Sequence, residues 1–160
     1  MPKYKRLFPG GPECRLKGAY LITCTGCVKD ENGNVIEVLA TYDPESKGGN
    51  PADGRKVKGA TIHWVDASTA VDAEIRLYDN LFADADPDGS GKDFLDCLNP
   101  GSLEVLKNAK VEAALAEAQP ADRFQFLRMG YFCADSRDSK PGALVFNRAV
   151  SLKDSFKPGK

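Results

Sequence analysis

The sequence predicts an all-β fold of the barrel or sandwich class, on three observations. Short runs in which apolar and polar residues alternate recur along the chain, the pattern of half-buried strands. Turn-forming clusters of Gly, Pro, Asn and Asp separate these runs at short intervals. Helical composition is confined to two short stretches. The 160 residues suffice for one compact domain or two very small ones.

Taken in order, Cys14 to Val28 alternates and reads as strand. Asn32-Gly33 within the polar stretch 29–34 is a strong hairpin signal. The strand that follows sets Ile36, Val38, Ala40 and Tyr42 on one face against Glu37 on the other. Pro44 to Gly54 is loop, and Lys56 to Val65 is expected to return as strand, with Gly59 marking a bulge. Glu74 to Phe82 alternates again, with Ile75 and Leu77 inward and Glu74 and Arg76 outward. Phe94, Leu95 and Leu98 form a short apolar helical face, stopped by Asn99-Pro100. Leu103 to Ala118 favours helix by propensity alone, being rich in Ala, Leu, Glu and Lys. Arg123 to Ala134 and Ala143 to Leu152 read as strands around a turn at Pro141-Gly142.

Composition excludes several classes. Twenty-two Lys and Arg stand against 23 Asp and Glu, a net charge of −1, so nucleic acid is not coated through bulk charge. With 42% hydrophobic and 28% charged residues the chain is globular and not a disordered tail. No apolar run reaches membrane-spanning length and no signal-peptide core follows the basic start, so a soluble cytoplasmic protein is expected. The distribution of charge is more informative than its total. Residues 1–20 and 137–160 each carry a net +4, while 84–96 carry −4. If the basic ends meet, they form a patch suited to phosphates.

Most chemical motifs are incomplete. Cys24 and Cys27 form a CxxC, yet the other cysteines and His63 offer no second paired spacing for zinc, and the motif sits in a strand. Asp84, Asp86, Asp88 and Gly89 resemble the opening of an EF-hand loop. Lys92 and Leu95 occupy its ninth and twelfth positions, where calcium needs oxygen ligands. His63 is the single histidine and lies in strand sequence beside Trp64, a structural setting. No metal is therefore expected. Binding is better supported. Arg15 and Lys17 share one strand face opposite Cys14 and Leu16. Arg123 and Gln125 likewise stand opposite Phe124 and Phe126. A sheet with an apolar inner face and Arg, Lys and Gln outside supports single-stranded RNA.

Several stretches match one family. Tyr4-Lys5-Arg6-Leu7, Arg15-Leu16-Lys17-Gly18-Ala19-Tyr20, Pro51-Ala52-Asp53-Gly54-Arg55-Lys56-Val57-Lys58-Gly59 and Ile62-His63-Trp64-Val65 are similar to the C-terminal anticodon-binding region of glutaminyl-tRNA synthetases, which are class I enzymes. Glu74-Ile75-Arg76-Leu77-Tyr78-Asp79, Phe124-Gln125-Phe126, Gly130-Tyr131-Phe132-Cys133, Asp135-Ser136-Arg137 and Phe146-Asn147-Arg148 continue the resemblance in family order.

The resemblance implies two small β-barrels with one or two short helices. The proximal barrel takes residues 1–68 plus 135–160, with its N-terminal part missing, and the distal barrel takes 69–134. It also implies that Leu103 to about Ala113 is strand, against propensity. It places Arg6, with Lys3 and Lys5, at the third anticodon base, and Arg15 and Lys17 at the first base and its phosphate. Gln125 falls at the second base, a uridine, with Lys153 and Ser155 on a returning strand near that pocket. Lys17 and Lys153 stand where the family has arginine, losing a bidentate fork but keeping charge. Leu127 replaces a familiar acidic group, and one extra residue lies between Arg6 and Arg15.

By this resemblance the piece itself is inactive and carries no cofactor. Its parent joins glutamine to tRNA with ATP and magnesium. The partners implied are a glutamine-type anticodon loop and the catalytic body of the same synthetase, with no membrane, and the piece is expected to be monomeric. Two alternatives stay open, the equivalent domain of an archaeal or eukaryotic-type glutamyl-tRNA synthetase and a ribosomal-type RNA-binding barrel. A stand-alone metal or redox protein rests only on the CxxC and the acidic loop.

Overall fold

The structure is a computed structural model that describes residues 7–152. The chain divides into two compact units, Met1–Trp64 and Val65–Lys160.

The first unit is a four-stranded sheet in the order β3-β2-β1-β4. It is built from β1 (Cys14–Leu16), β2 (Leu21–Lys29), β3 (Val35–Asp43) and β4 (Thr61–Ile62). The β2–β3 hairpin closes where Asn-Gly predicts it, because Asp30 organises the turn. Its Oδ1 accepts from the amides of Asn32 at 2.9 Å and Asn34 at 2.8 Å, and its Oδ2 from the Asn34 side chain at 3.0 Å. β3 forms one edge of the sheet and is exposed along nearly its whole length, Ile36 at 66%, so its apolar alternation marks no buried face. The run expected as strand from Lys56 to Val65 shrinks to Thr61–Ile62, paired parallel to β1. Gly59 sits outside any strand and donates to the Glu13 carbonyl at 3.1 Å. A Cβ there would meet Cys14 Sγ at 2.7 Å, so it marks a close approach and not a bulge.

The second unit is a five-stranded sheet in the order β6-β5-β9-β8-β7. Its strands are β5 (Val71–Tyr78), β6 (Leu103–Val111), β7 (Arg123–Phe126), β8 (Gly130–Ala134) and β9 (Leu144–Val150). β9 runs parallel to β5 and antiparallel to β8. The core gathers Ala73, Ile75, Val111, Phe132, Ala134, Leu144 and Phe146, with Phe124 and Phe126 packed against it. Phe126 stacks on Phe132 at 4.4 Å and meets Phe146 edge-on at 5.4 Å. The helix-favouring segment becomes β6 because β5 offers it a ladder from Tyr78 opposite Leu103 to Val71 opposite Val111, interrupted by one register shift between Ala73 and Ile75. The helical tendency survives only as a short 3-10 turn, Ala113–Glu117. The short apolar helical face expected from Phe94, Leu95 and Leu98 is a 3-10 turn, Phe94–Cys97, that buries Cys97 and leaves Phe94, Leu95 and Leu98 exposed.

The expectation of an all-β pair of closed barrels is corrected by these sheets. Both are open and mixed parallel–antiparallel, and three 3-10 helices of at most five residues accompany them. Closure requires the outer strands to pair with each other at a fixed stagger. Among the described residues β3 does not pair with β4, nor β6 with β7, and β4 offers only two residues for a seam. Strand β9, within the stretch 135–160 assigned to the proximal barrel, lies between β5 and β8 in the second sheet.

Candidate nucleic-acid interface

β1 is held on both sides, which fixes the start of the first basic pair. The Arg15 amide donates to the Ala60 carbonyl at 3.0 Å and the Lys17 amide to the Ile62 carbonyl at 2.9 Å, while Leu16 donates to Tyr20 at 2.9 Å. Cys14 points into the interior and is fully buried. The two cations then diverge in environment. Arg15 is half-buried: its Nε donates to the Gly49 carbonyl, and its Nη1 lies 3.5 Å from Thr61 Oγ1. Lys17 is exposed at the turn, and its carbonyl accepts from Trp64 Nε1 at 3.1 Å. Among the described residues no ion pair holds Lys17.

Arg55 was not singled out by the sequence, and it is fully engaged. It forks onto Glu13 at 2.8 and 3.1 Å, and reaches Asp43 at 2.7 Å and Asp53 at 2.9 Å. The Arg55 side chain holds the Asp43 carboxyl below its usual range, and the Arg55 amide does so most strongly for Asp53. Arg55 thus ties the 50s loop to Glu13, just before β1, and to the end of β3, and has no free fork for phosphate.

In the second unit, Gln125 and Arg123 are exposed on β7, an edge strand whose Phe124 and Phe126 face the core. Gln125 pairs directly with Tyr131 on β8, a residue that is 48% exposed. Arg128 and Met129 are exposed in the turn between the two strands, with Arg128 at φ +68°. Arg76 repeats the Arg55 pattern: Glu74 at 2.8 Å and Asp138 at 2.7 Å hold it, with Asp135 at 3.5 Å. Asp135 also accepts from the amides of Asp138 and Arg137 and from the Asn147 side chain, and these bonds lower its pKa to about 2. Strand spacing alone cannot separate a paired arginine from an available one, because the pairing carboxylates arrive from distant segments.

Of the residues expected at the interface, Arg15 and Lys17 come together in the first unit and Gln125 lies in the second. Lys3, Lys5, Arg6, Lys153 and Ser155 lie outside the described residues. Elsewhere, Lys92 Nζ contacts Asp84 at 3.1 Å, so the acidic loop is bridged by its own lysine. Among the described residues no three His, Cys, Asp or Glu side chains are grouped to hold a metal, and Cys24 and Cys27 are free thiols.

Residues 61–135 match the family described as tRNA synthetases class I (E and Q), anti-codon binding domain. The chain is 60% identical over 154 residues, 96% of its length, to the glutamine–tRNA ligase of Cupriavidus necator. The chain matches the anticodon-binding domain of glutamine–tRNA ligase at high identity over nearly its whole length. The ligases of Stutzerimonas stutzeri, at 56% identity over 96% of the chain, and Clostridioides difficile, at 52% over 99%, show the same relationship. The chain spans 26–28% of the length of these ligases. The exposed face of β7 and the β1 turn each present polar side chains from a hydrogen-bonded sheet.

Proposed function

We propose that this chain recognises the anticodon loop of a glutamine tRNA, as the anticodon-binding part of a cytoplasmic glutamine–tRNA ligase. The near-full-length identity to glutamine–tRNA ligases carries the reading. The parent enzyme would use ATP and magnesium in a separate catalytic body, and this monomeric part would supply recognition. Gln125 reads the second base, since its amide can both donate and accept along a base edge. Arg15 and Lys17 hold the first base and its phosphate. The assignment of Arg6, Lys3 and Lys5 to the third base, and of Lys153 and Ser155 to the second pocket, belongs to the same proposal. Support within the structure comes from the exposure of Gln125 and Lys17 on elements anchored from behind.

The test is binding of anticodon stem-loops carrying the glutamine anticodon or second-base variants. Gln125→Ala is expected to erase about 1–3 kcal/mol of second-base preference. Lys17→Ala is expected to weaken all stem-loops alike and to reduce the salt slope by about one unit. Unchanged second-base preference in Gln125→Ala overturns the assignment of Gln125.

A further inference from the structure

The segment between β3 and β4 delivers one carbonyl to one arginine. Asp43 Oδ1 accepts from the Glu45 amide at 3.0 Å and opens a 3-10 turn, Pro44–Ser46. Ser46 is fully buried, donating from its hydroxyl to the Asp43 carbonyl at 2.6 Å and accepting from the Leu21 amide at 2.9 Å. The turn is therefore fastened to the start of β2. From that anchor the Gly49 amide reaches back to the Ser46 carbonyl at 2.8 Å. Gly48 and Gly49 both take left-handed conformations, at φ +91° and +89°, a geometry that ordinary side chains resist. The Gly49 carbonyl so placed accepts from Arg15 Nε. A Cβ on Gly49 would lie 3.1 Å from both Cγ and Cδ of Arg15, inside the space its stem occupies.

We propose that Gly49 is a positioning residue for RNA recognition: its carbonyl and its lack of a side chain hold Arg15 with the terminal guanidinium nitrogens ready for a phosphate or base edge. The inference rests on the reading of Arg15 as an RNA contact. An arginine on a sheet surface samples many rotamers, and a ligand must order it on binding. Committing Nε to a fixed carbonyl removes most of that disorder beforehand. The Nη donors stay available, because beyond the long contact to Thr61 they meet no partner among the described residues.

The experiment measures binding of the glutamine anticodon stem-loop to this chain, to Arg15→Ala, to Gly49→Ala and to the double variant, alongside the hydrogen exchange of Arg15 Nε–H by NMR. Arg15→Ala is expected to weaken binding about tenfold or more. Gly49→Ala is expected to weaken it about two- to tenfold, as for freeing one rotamer-rich side chain, and to add nothing in the Arg15→Ala background. Wild-type Arg15 Nε–H should exchange more slowly than that of exposed Arg123 before any RNA is added. If Arg15→Ala binds as the wild type does, the reading of Arg15 as a contact fails and the inference falls with it. If Arg15→Ala weakens binding while Gly49→Ala has no effect, or an effect that persists in the double variant, only the positioning role is overturned. Should Gly49→Ala fail to fold, the wild-type exchange rate decides: exchange as fast as at Arg123 overturns the role of Gly49.

Discussion

The first unit buries three apolar side chains among its described residues, Cys14, Leu21 and Cys24, whereas the second packs four phenylalanine rings, Phe124, Phe126, Phe132 and Phe146, with a contiguous aliphatic shell. The first compensates with polar fastening. Arg55 draws together Glu13, Asp43 and Asp53, and buried Ser46 joins the Pro44–Ser46 turn to β2. The second uses a comparable polar cluster, around Arg76 and Asp135, on top of an apolar core already sufficient to order the sheet. Hydrophobic burial is non-directional and scales with area, while hydrogen bonds and ion pairs fix positions. The unit with the thinner core is accordingly the one in which loops are set by discrete bonds, and one of those bonds reaches Arg15.

The largest expected effect falls on the richer core. Phe146→Ala removes a fully buried ring and should lower the stability of the second unit by about 3–5 kcal/mol. Urea titration followed by amide exchange in β5 and β8 measures this, while the single tryptophan, Trp64, reports the first unit by fluorescence. An equal fall in both transitions would break the distinction between the units.

A smaller effect is expected from acid. The Asp135 carboxyl titrates at about 2 when folded against 3.8 ordinarily, so its contribution is complete above pH 3.8 and is lost as the pH falls through its folded value. Asp135→Ala should cost the second unit about 2 kcal/mol at neutral pH, as for hydrogen bonds to a charged group. It should also flatten the acid limb of that unit's stability curve. A limb as steep as in the wild type would show that other carboxylates carry the acid dependence.

The smallest effect belongs to Arg55→Gln, since its partners are partly solvated. Amide exchange at Gly54 and Gly59 should rise with little change in global stability, and high salt should reproduce part of the rise in the wild type. Unaltered exchange at Gly59 would mean that the loop is held by its backbone alone.

How far the site was legible follows from the range of each signal. The exposed placement of Gln125 was readable because Phe124 and Phe126 alternate with it on one short strand, and alternation is local. The engagement of Arg15 was not readable, since Gly49 lies 34 residues away and its carbonyl is placed by a loop with no periodicity. Tyr131 opposite Gln125 was likewise invisible, because it depends on the β7–β8 register.

By itself the sequence determined the β2–β3 hairpin, through Asp30 and Asn32-Gly33, the inward and outward faces of β5 and β7, and the family. Each of these rests on residues close in the chain, or on identity along it. Leu103–Val111 is strand as the resemblance implies and local propensity does not, while tertiary structure alone decided that Lys56 to Ala60 is not strand, that β9 lies between β5 and β8, and that the sheets stay open among the described residues. The reason is that a strand's hydrogen bonds are made with another segment. Propensity differences of about a few tenths of a kcal/mol per residue yield when a distant edge supplies a long ladder. Where no edge arrives among the described residues, as at β3 and β7, the sheet ends.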